Sequence, residues 1–297
     1  MHAISIIFIQ NCTEKTRTES QPGSPGNESP VPVTHPIDIA SCPMLESLMI
    51  RHLYPALLDL LFPPTCILCR EALSPSSRQF QLCGNCQEQV IPNRPPFCKR
   101  CSCPVTADTG PLCLTCQRTT YHFDQAWACC PYNHSLKKLL HLFKYHQKTA
   151  LRFFFANWML AFLETYRISL AAFDFIVPVP LHPARLRERG YNQSALLAQE
   201  LCRQEQHPLS INCLLRVRNT KSQTTLRQKE RWTNIQSAFT IKYPFMFKHK
   251  NILIVDDLFT TGATTSEVAL VLKQAGARHV AVLTLAIAIQ PSTGSPA

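Results

Sequence analysis

From Phe123 onward, the order of apolar and polar positions divides the chain into regular elements. Ile252–Val255 is an unbroken aliphatic run, as expected of a parallel strand covered on both faces. Val268, Val271, Leu272 and Ala275 follow at helical spacing, and Gly276 is placed to end that helix. Upstream, Phe123–Asn133 reads as a strand. Ser135–His146 reads as an amphipathic helix with Leu136, Leu139, Leu140 and Phe143 on one face. Ala150–Tyr166 is apolar enough for a buried helix, and Phe173–Val179 is a second core strand that runs into Pro180. Asn192–Gln204 carries a helical stripe of Leu196, Leu197 and Leu201. Cys213–Val217 and Phe239–Ile241 read as short strands around a polar, basic segment, Asn219–Asn234, with a helix in its second half. Val280–Leu285 is a last strand. Alternating strands and helices predict an α/β fold on a parallel sheet, spanning residues 118–290 with a flexible tail at 291–297.

The pattern changes before that domain. Thr13–Pro36 is rich in Ser, Thr, Pro and Glu without periodicity, so residues 1–43 read as a disordered leader. Translation from Met44 or Met49 would omit it. Residues 44–62 are apolar around Pro55 and suggest a short helix. Ala3–Ile9 lacks the basic flank of a secretory signal. The most apolar stretch, Phe153–Leu163, has 11 residues and contains Asn157, too short to span a membrane.

Residues 63–117 are organised by cysteine. Cys66-x2-Cys69, Cys83-x2-Cys86, Cys98-x2-Cys101 and Cys113-x2-Cys116 form four knuckles separated by 13, 11 and 11 residues. Such turns place two thiolates on one metal, and two of them complete a tetrahedral site. The simplest scheme is two successive zinc ribbons, with interleaved pairing as the alternative. Four protein ligands leave no open position, so the zinc is structural. Cys103 sits beside the third knuckle, as an extra thiol or an alternate ligand. Cys129, Cys130, Cys202 and Cys213 read as core, and Cys12 and Cys42 lie outside the fold. Zinc thiolates point to a reducing, cytoplasmic setting. The 297 residues, 45% hydrophobic, suffice for one core and a small appended module.

The chemistry concentrates after Val255. The aliphatic run meets two acids, Asp256 and Asp257, and then a small-residue turn, Thr260, Thr261, Gly262, Ala263 and Thr264. Open α/β sheets bind ligands beyond the carboxyl ends of their strands. There the helix N-terminus offers unpaired N–H groups to a phosphate, Gly262 permits close approach, and the threonines add donors. The carboxylates would repel a bare phosphate but accept hydrogen bonds from ribose hydroxyls. A phosphorylated ribose, and phosphoribosyl pyrophosphate (PRPP) in particular, fits this order. A P-loop is excluded, because no Gly-Lys-Ser/Thr follows.

Asp256-Asp257 with Thr260–Thr264 resembles the signature of type I phosphoribosyltransferases. The resemblance implies that the acids bind the ribose, the turn binds the 5′-phosphate, and magnesium bridges ribose and pyrophosphate. It also implies a pyrophosphate loop after an early strand, for which Pro180, Leu181, His182, Arg185, Arg187 and Arg189 are the candidates. Arg189-Gly190-Tyr191-Asn192-Gln193, Arg216, Ser222-Gln223, Leu226, Arg231, Asn234 and Ala238-Phe239, behind four CxxC knuckles, are similar to the ComF family over about residues 45–288. Its members join a double zinc ribbon to a phosphoribosyltransferase domain and are linked to DNA uptake in natural transformation. A flexible loop that closes over the ligand is then expected at 216–231, with Arg216, Arg218, Lys221, Arg227, Lys229 and Arg231 against the single acid Glu230.

The net charge of +11 adds a polyanion to the list of partners. His134–Arg152 holds Lys137, Lys138, Lys144, Lys148 and Arg152 with no acid, and Tyr132, Phe143 and Tyr145 could stack on bases of single-stranded DNA. Three functions stay open: a phosphoribosyltransferase of unassigned acceptor, a silent PRPP-fold protein that binds single-stranded DNA, and a zinc-ribbon scaffold for a DNA-translocating helicase.

Overall fold

The computed structural model describes residues 59, 61–106, 110–209, 212–220 and 228–289. The leader, almost all of the segment 44–62 and the tail lie outside them. Among the described residues, no helix is long and apolar enough to cross a membrane.

The main sheet is four-stranded and wholly parallel. Its strands are β1 (Gln125–Pro131), β2 (Phe175–Pro178), β5 (Asn251–Phe259) and β6 (His279–Ile287), in the order β1-β6-β5-β2. Successive side chains point to opposite faces, so the aliphatic runs feed two cores. On one side, Leu253 and Val255 of β5 and Ala281, Leu283 and Leu285 of β6 meet α3 (His134–Tyr145), α4 (Leu151–Thr165) and α6 (Gln193–Glu205). On the other, Ile252, Ile254, Val280 and Val282 meet α8 (Ala263–Gln274). This is the two-sided burial expected of a parallel sheet.

Three elements depart from the sequence expectation. β3 (Leu214–Arg216) and β4 (Phe239–Ile241) do not join the parallel sheet; they pair with each other, antiparallel. The proline-bounded stretch after Val179 is not loop throughout but contains α5, Pro183–Arg189. Pro183 opens it, His182 Nδ1 accepts from the Ala184 N–H at 3.2 Å, and Gly190 closes it in the left-handed region. The basic segment does end in a helix, α7 (Gln228–Ile235). Cys129, Cys130 and Cys202 are core as expected, whereas Cys213 is half-buried against Met246.

The cysteine module is one unit built twice. In each copy the first cysteine's N–H donates to the residue five on, Cys66 to Glu71 and Cys98 to Cys103, both at 2.7 Å. In each copy the second knuckle starts a short helix, α1 (Gly84–Glu88) after Cys83 and α2 (Leu114–Arg118) after Cys113. The repeat brings Cys66, Cys69, Cys83 and Cys86 together, and separately Cys98, Cys101, Cys113 and Cys116. Within each set the sulfurs lie within 4.8 Å of one another. Four thiolates at zinc bond length sit about 3.8 Å apart, so both sets fit a structural zinc. The successive pairing matches the geometry, and the interleaved one does not.

The second ribbon covers the open edge of β1. The Ala126 N–H donates to Arg100 O at 2.7 Å, and the Asn93 N–H donates to Cys129 O at 2.7 Å. Asn93 Nδ2 donates to Ala128 O and to Ser102 O, at 3.1 and 2.8 Å, and Ser102 Oγ donates to Ala126 O at 2.9 Å. Asn93 and Ser102 are buried, so these are edge groups satisfied by protein. Asn93→Ala leaves two buried carbonyls short of a donor. It should lower stability by about 1–3 kcal/mol in urea unfolding while zinc content stays at the wild-type level.

Candidate functional site

A cleft of about 530 Å³ opens beyond the carboxyl end of the sheet. Asp256 and Asp257, still within β5, form part of its wall. Neighbouring residues on a strand face opposite ways, so each acid finds different partners. Asp256 Oδ1 accepts from Ser194 Oγ at 2.8 Å and from the Asp257 N–H at 2.9 Å. Asp257 Oδ1 accepts from Gln193 Nε2 at 3.0 Å, and Oδ2 is ion-paired with Lys144 of α3. Burial, then the charge of Asp257, pushes the Asp256 carboxyl up to about 7. Burial works against the Lys144 ammonium, but Asp257 more than offsets it, and the lysine's pKa rises.

The turn after β5 also lines the cleft. Thr260, Gly262 and Thr264 line it, whereas Thr261 and Ala263 are buried behind it. Gly262 has φ +75°, and a Cβ built on it would lie 2.6 Å from the Tyr121 ring and 2.7 Å from the Phe259 ring. Both rings are buried, so neither can swing away. The glycine is required twice, by conformation and by space.

The basic residues converge less evenly. Pro180, Leu181, Arg185 and Arg189 line the cleft. His182 is occupied as the cap of α5, and Arg187 lies exposed outside. Arg189 Nη1 donates to Gln193 Oε1 at 2.5 Å, and its guanidinium lies over the Tyr145 ring at 5.0 Å. Of the 216–231 candidates, Arg216 and Arg231 reach the cleft, and Arg218 binds Gln236 O away from it. Lys221 and Arg227 lie outside the described residues, and Lys229 falls in the first turn of α7. Arg216 is bonded to Thr220 Oγ1, but its Nε is buried with no hydrogen-bond partner. Burial, then the nearby Arg185, pulls its pKa down to about 10.

The polyanion stretch divides in two. Lys137 and Lys144 line the cleft with Tyr132 and Tyr145, while Lys138 and Lys148 are exposed elsewhere and Arg152 packs over Phe153 at 4.2 Å. Phe143 is fully buried, so stacking on a base is ruled out for it. Gln193 and Ser194 were not foreseen as partners of the acids. They begin α6, where Asn192 Oδ1 accepts from the Ser194 N–H at 3.1 Å and Asn192 Nδ2 donates to Val179 O at 2.9 Å. The Gly190–Gln193 run before an apolar helix was the available signal.

The cleft thus carries six cations, Lys137, Lys144, Arg185, Arg189, Arg216 and Arg231, around two acids. It can accept hydrogen bonds from a diol at the acids and hold anionic groups at the cations and the turn.

Residues 57–130 match the double zinc ribbon domain family. The chain is 30% identical over 231 residues to competence protein F of Haemophilus influenzae, covering 74% of this chain and 96% of that protein. The chain belongs to the ComF family. This ComF chain is also 31% identical over 222 residues to the DNA utilization protein YhgH of Salmonella typhimurium, covering 74% of this chain and 95% of that protein. Among solved structures, a purine phosphoribosyltransferase from Pyrococcus horikoshii matches 43% of the ComF chain and 69% of its own, with 22% identity and a TM-score of 0.25.

Gly262→Ala should destabilise this ComF protein by about 1–3 kcal/mol, from left-handed strain plus the ring contacts. The measurement is the urea midpoint.

Proposed function

We propose that the cleft binds PRPP. Asp256 and Asp257 accept from the ribose 2′- and 3′-hydroxyls. The start of α8 with Thr260–Thr264 holds the 5′-phosphate. Arg185, Arg189 and Arg216 meet the pyrophosphate; His182 caps α5 instead, and Arg187 lies exposed outside the cleft. The supporting observation is the lining: two carboxylates, six cations and the Thr260–Thr264 turn share one cleft, which suits a ligand that combines a neutral diol with anionic groups. The buried, unpartnered Nε of Arg216 suits an anionic ligand group. Magnesium arriving with PRPP would neutralise pyrophosphate charge beside Asp256 and Asp257, whose hard oxygen donors suit it.

At the cellular level we place this chain in DNA uptake. The support is the printed names of its relatives, competence protein F and DNA utilization protein. Exposed Lys138 and Lys148 are candidates for single-stranded DNA, and a DNA-translocating helicase is the candidate protein partner. Cysteine tetrads that fit a structural zinc suit a reducing, cytoplasmic setting.

Calorimetry with PRPP and magnesium tests the site. Asp256→Ala/Asp257→Ala should weaken binding at least about hundredfold, since hydrogen bonds to charged acceptors contribute about 1.5–3 kcal/mol each. Equal affinity in wild type and variant would remove the assignment.

The raised Asp256 pKa gives two further outcomes. Ribose hydroxyls need the ionised acceptor, so PRPP affinity should fall as pH drops below about 7. The stability sign is opposite. The folded carboxyl holds its proton up to a higher pH than the unfolded one, so its contribution to stability declines as pH rises from about 4 through about 7. Asp256→Asn should therefore raise the unfolding temperature at pH 8 and abolish that decline.

A further inference from the structure

Tyr121 joins the second ribbon to the turn that follows β5. It stands five residues beyond Cys116, just past α2, and is buried. Its hydroxyl donates to the carbonyl of Thr261 at 3.1 Å. Its ring stacks on Phe123 at 4.7 Å and packs against Phe259 at 6.3 Å and Trp232 at 5.8 Å. The next residue, His122, donates its N–H to Ser266 Oγ in the first turn of α8 at 3.1 Å. No atom of Tyr121 lines the cleft; it works from behind the turn.

The peptide between Thr261 and Gly262 is planar and trans, so its carbonyl and its N–H point in opposite directions. A carbonyl tied back to Tyr121 sends the Gly262 N–H the other way, toward the cleft that Gly262 lines. The ring closes off the space beside Gly262, since even a Cβ there would lie 2.6 Å from it. Hydroxyl and ring together leave the turn one orientation.

We propose that Tyr121 is a positioning residue through which the second zinc ribbon aims the Gly262 N–H at a ligand phosphate. This rests on the reading of the turn as a 5′-phosphate site. It gives the ribbon a part in ligand binding beyond covering the sheet edge. The fold supplies a control: Tyr166 also donates its hydroxyl to a ribbon carbonyl, Asn93 O at 3.1 Å, but lies outside the cleft and the turn.

Calorimetry on the full, zinc-loaded chain decides it, with two probes. Ribose 5-phosphate reports on the acids and the turn, and inorganic pyrophosphate reports on the arginine end. Tyr121→Phe keeps the ring and loses the hydroxyl. It should weaken ribose 5-phosphate by about three- to tenfold, the worth of one hydrogen bond, and leave pyrophosphate within about twofold. Tyr121→Leu should weaken ribose 5-phosphate further at unchanged zinc content, and Tyr166→Phe should change neither affinity. Wild-type affinity of Tyr121→Phe for ribose 5-phosphate would overturn the proposal. So would an equal loss for both probes, or the same loss in Tyr166→Phe. If the wild-type chain binds pyrophosphate but not ribose 5-phosphate, the reading of the turn itself fails, and this proposal with it.

Discussion

Placing Asp256 and Asp257 side by side at the carboxyl end of β5 costs free energy, because each carboxylate loses hydration and each repels the other. Much of the surrounding architecture answers that cost. The strand pleat turns the two acids toward different partners. Lys144 arrives from α3 to neutralise Asp257, and the first turn of α6 delivers Gln193 and Ser194 as donors. The compensation is partial, since Asp256 remains held above the ordinary carboxylate range. Two acids so placed favour a guest that donates hydrogen bonds to them, such as a diol, or a cation beside them, and disfavour a bare anion.

The cations around the acids follow the same logic at longer range. Arg185 and Arg216 lie close enough to oppose each other's charge, and Arg216 is also desolvated. Folding alone gives no reason to crowd them. An anion between them relieves both the repulsion and the buried Nε. The zinc module contributes from the opposite direction. Its second repeat satisfies the β1 edge through Asn93, Arg100 and Ser102 and then leads directly to Tyr121 behind Gly262. The metal-organised unit is therefore integral to the α/β domain's edge and loop.

Much of this was legible in the sequence because strong local signals agreed. Ile252–Val255 could hardly be other than a doubly covered strand, and the four equal knuckles carried the ribbon repeat. Interleaved pairing was open in the sequence, because spacing does not encode which knuckles meet; the repeated Cys66 and Cys98 hairpins decide it in space. α5 is hidden in the sequence because Pro183 and Gly190, which open and close it, are equally compatible with a loop, and its seven residues carry no apolar stripe. In the sequence Lys144 is indistinguishable from its basic neighbours on α3, and only the packing of that helix turns it to Asp257. Tyr121 could not be found by periodicity, since its partner Thr261 is 140 residues away.

A crystal structure of the chain with PRPP and magnesium tests the central claim most directly. The account predicts ribose hydroxyls within hydrogen-bond distance of Asp256 and Asp257, the 5′-phosphate at the Gly262 N–H, and pyrophosphate oxygens near Arg185 and Arg216. A ligand bound in another orientation, with phosphate against the acids, or bound elsewhere on the molecule, would contradict it.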